Sequence, residues 1–255
     1  MTLLSTRGIR KKFSGIVALE QVDIDVEEGE RVGLIGPNGA GKTTFFNCIL
    51  GILRTDGGVV LFDGDDITRH RVHERARLGI GRTFQRIELF PDSTVRDHLV
   101  IADRVRRGER KWWSDIFLAG KPRPDEIVRT DEMLELLGVR DLADEPIERL
   151  SLGQGRLIEV GRALMTQPRL VLLDEPSSGL DRAETAALAK TLREVQDERG
   201  FAILLVEHDI ELVASFTQRS YLLDFGRMLT SGTTAEVMAS SEMRHAYLGD
   251  LEVPT

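Results

Sequence analysis

Period-two alternation marks the clearest strand. Val22, Ile24 and Val26 alternate with Gln21, Asp23 and Asp25, which predicts a half-buried antiparallel strand near a sheet edge, with Glu28-Gly29-Glu30 as the turn after it. Four other segments, 32–35, 78–84, 170–173 and 201–206, are short and apolar almost throughout. Strands apolar on both faces belong in a parallel sheet covered by helices on each side. Helical patterns fall between them. One runs from Gly41 toward Leu50. Another is opened by Asp181, with Glu184 at the capping-box spacing; it carries Leu188, Leu192 and Val195 on one face and stops at Gly200. Strands alternating with helices define an α/β fold.

The stretch from about Arg86 to Met165 breaks that rhythm. It holds helical patterns over 125–137 and 152–165 and no convincing strand, so it reads as a helical insertion into the α/β core. The division is therefore 1–85 with 166–255 for the core and 86–165 for a helical subdomain. Near the end, 221–224 and 227–229 flank Phe225-Gly226 as a hairpin, and Thr233-Thr234-Ala235-Glu236 is a capping box that predicts a last helix.

Composition narrows the function classes. The chain has 255 residues, enough for one large domain or two small ones, and its 41% hydrophobic and 30% charged content is that of a globular protein. A net charge of −8 argues against general nucleic-acid binding, which uses a basic surplus. A single cysteine makes no internal disulfide, so a reducing cytosol is the simplest compartment. The longest charge-free run, 43–53, is far short of the ~20 apolar residues of a spanning helix, and 1–12 has no apolar core of a signal peptide. Any membrane role is then peripheral or through a partner. Aromatic residues at 5% are too sparse for a carbohydrate or base-stacking surface.

Chemistry enters at Gly36-Pro37-Asn38-Gly39-Ala40-Gly41-Lys42-Thr43, which fits the phosphate-binding loop pattern G-x-x-x-x-G-K-[ST]. Glycines let the backbone wrap so that successive N–H groups point at phosphate oxygens, and the following helix adds its positive N-terminal end. Lys42 is placed for the β- and γ-phosphates and the Thr43 hydroxyl for Mg²⁺; Thr44 continues the cradle. Taken alone, the loop says nucleoside triphosphate. The apolar strand 170–173 then ends in Asp174-Glu175. Ligands of open α/β sheets sit at the carboxyl ends of strands, so Asp174 faces the Mg²⁺ and Glu175, one residue on, is the candidate general base.

Four further motifs carry a family resemblance. Leu150-Ser151-Leu152-Gly153-Gln154 closely resembles the LSGGQ signature of ATP-binding cassette (ABC) proteins, Ser178-Gly179-Leu180-Asp181 resembles their D-loop, His208 the switch histidine and Gln85 the Q-loop glutamine. The resemblance covers essentially the whole chain. It implies a P-loop NTPase cassette: a mostly parallel core sheet, an antiparallel β portion and an inserted helical subdomain. It implies ATP and Mg²⁺, with Gly36, Asn38, Gly39, Gly41, Lys42, Thr43 and Thr44 on the phosphates, Thr43, Asp174 and Gln85 at the metal, and Glu175, His208, Gln85 and Lys42 as the catalytic group. It also implies a head-to-tail dimer in which Ser151, Gly153 and Gln154 of one cassette meet the ATP of the other. Leu152 replaces the first glycine of the signature. The adenine-stacking aromatic of the family corresponds to Phe13, whose other reading is a core strand residue.

Within the family, Arg82-Thr83-Phe84-Gln85, Leu89-Phe90, Ser93-Thr94-Val95, Glu207-His208-Asp209 and Ala246-Tyr247-Leu248-Gly249 resemble the ATPases of branched-chain amino acid importers; cassettes serving urea or short amides share much of this. That resemblance implies permease subunits as partners, an external solute-binding protein acting indirectly, no nucleic acid, and a place at the cytoplasmic face of the membrane. The groove beside 85–94 is where such cassettes receive the permease. A non-transport ABC ATPase and a regulatory cassette with degraded catalysis are the rival readings. The first lacks its usual coiled coil, zinc module or second cassette here, and intact Lys42, Asp174, Glu175 and His208 argue against the second.

Other features read blandly. Cys48 is a small core residue, and His70, His73, His98 and His245 lack metal-ligand spacing and read as solvated or capping. Arg104, Arg106, Arg107, Arg110 and Lys111, followed by Trp112-Trp113, read as a solvated helix end in preference to a lipid contact.

Overall fold

The computed structural model describes residues 1–83, 93–107 and 122–248. In chain order the strands are β1 (Thr2–Phe13), β2 (Ile16–Glu27), β3 (Arg31–Ile35), β4 (Gly57–Phe62), β5 (Asp65–Asp66), β6 (Ile80–Arg82), β7 (Leu170–Asp174), β8 (Ala202–Val206), β9 (Arg219–Asp224) and β10 (Arg227–Thr233). Six of them form one sheet in the order β10-β9-β3-β8-β7-β6, parallel from β9 to β6 with β10 antiparallel at the edge. The other four form an antiparallel sheet, β2-β1-β4-β5.

The apolar runs are continuous because alternate residues feed two different cores. Leu170 and Leu172 of β7, and Ala202, Leu204 and Val206 of β8, face one core with the antiparallel sheet; Val171, Leu173, Ile203 and Leu205 face a second core packed under helices. The strand carrying Val22, Ile24 and Val26 has a partner, β1, that no alternation announces. Register shifts between Thr6 and Ile9 and again between Ile9 and Lys11 break its period of two.

The described helices are α1 (Lys42–Leu50), α2 (Val72–Arg77), α3 (Val95–Arg106), α4 (Pro124–Leu136), α5 (Leu152–Met165), α6 (Arg182–Arg199), α7 (Ile210–Phe216), α8 (Thr234–Ala239) and α9 (Ser241–Leu248). Asp181 caps α6 as its spacing requires, accepting from the Glu184 N–H at 2.8 Å, and Gly200 ends it in the left-handed region. No strand occurs in 93–165 among the described residues; α3, α4 and α5 pack on one another there.

Four expectations need correction. The strand expected over 78–84 is shorter, because α2 occupies Val72–Arg77, Leu78 caps its end and only Ile80–Arg82 pair with β7. The capping box at Thr233 opens α8, but α9 follows it, so it does not begin the last helix. His98 is neither solvated nor a cap: it is buried, with Nδ1 2.9 Å from the Thr94 carbonyl oxygen, and burial lowers its pKa. The basic run is not a solvated helix end at Arg104. Arg104 is buried against Glu126, with two bonds of 2.8 Å, and Arg106 and Arg107 both pair with the buried Asp103. Arg104 therefore serves as the buried partner of a carboxylate on α4, while Arg106 and Arg107 stay exposed at the helix end, as expected. Arg110, Lys111, Trp112 and Trp113 lie outside the described residues.

The helix behind the phosphate-binding loop is held at its far end by Arg75. This buried guanidinium donates to the carbonyls of Cys48 (2.8 Å), Ile49 (2.5 Å), Thr68 (2.8 Å) and His70 (3.1 Å), two of them in the last turn of α1. Cys48 is a core residue as expected, and burial pushes its thiol up to about 11.

Candidate functional site

Residues 36–44 connect β3 to α1 at the carboxyl edge of the parallel sheet. Gly36 takes a positive φ, and a Cβ there would overlap the carbonyl oxygen of Leu223 on β9, so only glycine lets the chain leave the sheet at this point. The backbone N–H groups of Asn38, Gly39, Gly41, Lys42, Thr43 and Thr44 have no partner among the described residues. They surround a cavity of about 390 Å³. Converging unpaired donors at the start of a helix form an anion cradle. Lys42 is buried and donates to the carbonyls of Gly36 (2.6 Å) and Pro37 (3.0 Å); burial lowers its pKa, opposed by the carboxylates of Glu175, Asp174 and Glu207.

Asp174 ends β7 and is buried. Arg82, at the end of β6, lies 3.6 Å away, and the Asp174 carboxylate accepts no hydrogen bond among the described residues. Burial raises its pKa, so a cation beside it would be stabilising. The fit to Mg²⁺ rests on that carboxylate and on the exposed Thr43 of the cavity wall, because Mg²⁺ takes few protein ligands and completes its shell with phosphate oxygens.

Glu175 follows in a left-handed conformation rare for a non-glycine residue (φ 48°) and lines the cavity. Its backbone N–H is tied to the Val206 carbonyl on the neighbouring strand at 2.9 Å. His208, two residues beyond β8, has Nδ1 4.0 Å from the Glu175 carboxylate. Lys42, Thr43, Thr44, Glu175, Asn38, Gly39 and Gly41 are thus brought to one cavity; Asp174 and His208 do not line it, but each adjoins Glu175, in sequence and at 4.0 Å respectively. Gln85 lies outside the described residues, as do Phe84, Leu89 and Phe90.

Phe13 is not in the cavity wall. It closes β1 opposite Ile16, is 43% exposed and carries Lys11 over its ring. The wall holds Ile16, Val17 and Phe225 instead, none singled out from the sequence. Phe225 stands at the tip of the β9–β10 hairpin, and Gly226 beside it bonds Ala40 of the loop at 2.8 Å and the Glu20 N–H at 2.7 Å. A contact spanning about the whole fold leaves no signal in contiguous residues.

Ser151 caps α5 and forms a capping box with Gln154, at 3.2 and 2.9 Å. Ser151 is exposed, and none of Ser151, Gly153 and Gln154 lines the cavity of its own chain. The start of α5 touches the loop after Glu175: Arg156 donates to the Ser178 carbonyl at 3.3 Å.

Comparison with known proteins decides the family. The sequence profile described as ABC transporter matches residues 19–178. The chain belongs to the ABC transporter family of ATP-binding cassettes. It is 34% identical over 256 residues to the high-affinity branched-chain amino acid transport ATP-binding protein BraF of Pseudomonas aeruginosa, covering 97% of this chain and 98% of that protein. It is 32% identical over 250 residues to the lipopolysaccharide export system ATP-binding protein LptB of Escherichia coli, covering 98% of each. Among solved structures, the ADP conformation of MJ1267, an ATP-binding cassette of an ABC transporter, superposes with a TM-score of 0.87 at 32% identity, covering 98% of this chain and 100% of that one. This cassette is therefore a nucleotide-binding ATPase subunit of a transporter, with the P-loop α/β fold expected. Among its described residues, no helix is long and apolar enough to cross a membrane.

Proposed function

We propose that this cassette energises import of branched-chain or other hydrophobic amino acids, working as a head-to-tail dimer on the cytoplasmic side of permease subunits. The observation that carries the ATPase half is the set of unpaired N–H groups around Lys42, facing Glu175 across one cavity from which the signature residues are absent. One chain then supplies the cradle and the base, and a second, identical or paralogous, supplies Ser151, Gly153 and Gln154 to the same ATP. The helix N-terminus and hydroxyl at Ser151 suit an anion brought from outside.

In this reading Lys42 and the loop hold the phosphates, and Glu175 takes a proton from the attacking water. His208 orients the γ-phosphate beside it, and Phe13 stacks on the adenine above Ile16 and Val17. Mg²⁺ would be held by Thr43 and Asp174, with Gln85 joining them, and it would neutralise charge on the phosphate oxygens. A groove of about 390 Å³ between the core and the helical subdomain, lined by Leu50, Ile52, Val72, Ile101, Val105 and Ala163, is where the permease would dock. The exposed Ile52, Val72 and Val105 make its rim apolar. The 86–165 subdomain would turn against 1–85 and 166–255 as ATP closes the dimer.

Support for amino-acid import is the 34% identity to BraF along both whole chains together with the motifs at Glu207-His208-Asp209 and Ala246-Tyr247-Leu248. The test is reconstitution with the cognate permease subunits and binding protein in lipid vesicles, with ATPase rate followed against leucine, isoleucine, valine, urea and short amides. Stimulation by branched-chain amino acids is the expected result. Stimulation by urea or amides alone moves the cassette to those importers, and extraction of lipopolysaccharide in place of solute uptake makes it an exporter subunit.

A further inference from the structure

One buried carboxylate has no part in the reaction described so far. Glu207 is fully buried between β8 and His208, and it joins two loops. Its Oε1 accepts from the Ser177 N–H (2.9 Å) and the Ser177 hydroxyl (2.6 Å). Its Oε2 accepts from the His208 N–H (3.0 Å), with the Asp209 N–H at 3.4 Å. Ser177 is two residues after Glu175 and immediately precedes the D-loop; Asp209 caps α7, accepting from the Leu212 N–H at 3.0 Å. A single side chain therefore binds the loop that leaves β7 to the loop that leaves β8.

A buried charge is costly unless every lone pair is used. Four donors, two from each loop, meet that condition here, and an amide could not. Glutamine has one acceptor oxygen and an NH₂ that only donates, so one of the two loops would face donor against donor. The residue type thus matches a clamp between two sets of N–H and O–H donors. One residue on, at Ser178, the start of the D-loop is held by the Arg156 bond to its carbonyl, so the signature helix, the D-loop, Glu207 and His208 form one connected series.

We propose that Glu207 is a positioning residue for ATP hydrolysis, holding His208 and Glu175 in register through Ser177 and making the switch histidine respond to the D-loop. The inference rests on the roles proposed above for Glu175 and His208. Glu207 does not line the cavity and reaches Lys42 only as a charge acting through space, so its loss falls mainly on turnover.

The experiment compares Glu207→Gln, Ser177→Ala and the double variant with the parent, using steady-state kcat and KM for ATP, affinity for a fluorescent ATP analogue, and Tm. Glu207→Gln is expected to lower kcat about tenfold or more while analogue affinity stays within about threefold, the pattern of an interaction realised in the transition state. Ser177→Ala is expected to lower kcat about threefold in the parent and to change nothing further in the Glu207→Gln background. A purely structural role would lower Tm and affinity together with kcat. Parent kcat in both single variants, equal loss of affinity, or additive effects overturns the proposal. Should Glu207→Gln fail to fold, Ser177→Ala decides alone: unchanged kcat overturns it. Glu175→Gln and His208→Ala run in parallel; if they retain parent activity, the site assignment is what fails.

Discussion

Tyr247 reaches back 211 residues to Gly36: its hydroxyl oxygen accepts the Gly36 N–H at 3.0 Å. Gly36 is the first residue of the phosphate-binding loop and is buried, so this N–H has no water to turn to. The C-terminal helix α9 thereby helps fix the point at which the loop leaves β3. Tyr247→Phe keeps the ring and removes only the acceptor. An unpaired buried donor costs about 1–3 kcal/mol, which for a chain of this size lowers Tm by at least about 2 °C. Calorimetry and ATP titration of Tyr247→Phe should show that loss together with weaker nucleotide binding. An unchanged Tm and affinity would show the bond to be idle.

Glu175→Gln should separate binding from chemistry. The amide keeps size and reach but takes no proton, and a general base contributes about 10²–10⁴ in rate. With ATP the variant should accumulate as a closed dimer near twice 28.5 kDa in light scattering, while Asp174→Asn, which in the proposed site would disturb the metal and phosphates, should not. Hydrolysis at the parent rate by Glu175→Gln, with permease subunits present, would remove it as the base.

Leu152, the departure in the signature, packs on the D-loop. Gly179 there has φ 83°, and a Cβ would stand 2.8 Å from Leu152 Cδ2. Gly179→Ala should lose stability from both backbone strain, about 1–2 kcal/mol, and the collision. Leu152→Gly should relieve the collision only. The double-mutant cycle in Tm should therefore show a coupling of about 0.5 kcal/mol or more. Strict additivity would mean that Leu152 swings clear at no cost.

The helical subdomain should be the acid-sensitive part. Burial alone would raise the Glu126 carboxyl, but the hydrogen bonds from Arg104 and from the Arg123 backbone N–H win, holding it at about 2 against an ordinary 4.5. The folded protein keeps this carboxylate charged where the unfolded chain is already protonated. Its stabilisation is complete above pH 4.5 and is lost as pH falls toward 2. Tm of the parent should fall more steeply than that of Glu126→Gln between pH 5 and 3, and Glu126→Gln should be the less stable at neutral pH, where it leaves Arg104 buried without a counter-charge. Parallel Tm curves would refute the assignment.

What could be read along the chain is what contiguous residues decide. The cradle at 36–43, the capping boxes at Asp181 and Thr233, the stop at Gly200 and the carboxylates ending β7 depend on backbone conformation and spacing within a few residues, and each stands where its spacing placed it. The apolar runs likewise announced a sheet covered on both faces, because burial on two sides leaves no polar alternation to see. What only the tertiary structure decided are partnerships between distant segments. Tyr247 with Gly36, Gly226 with Ala40, Glu207 with Ser177 and Arg104 with Glu126 pair groups whose types were visible but whose neighbours were not. Arg104 of α3 looked solvated because charge normally seeks water, and it is interior because Glu126 on α4 meets it there. Phe225, read only as part of a hairpin turn, lines the cavity at the phosphate-binding loop because the hairpin folds back over that loop. Local rules act through the few bonds between neighbouring residues, whereas a buried polar group takes whichever partner packing brings within about 3 Å, and that partner is set by the fold as a whole.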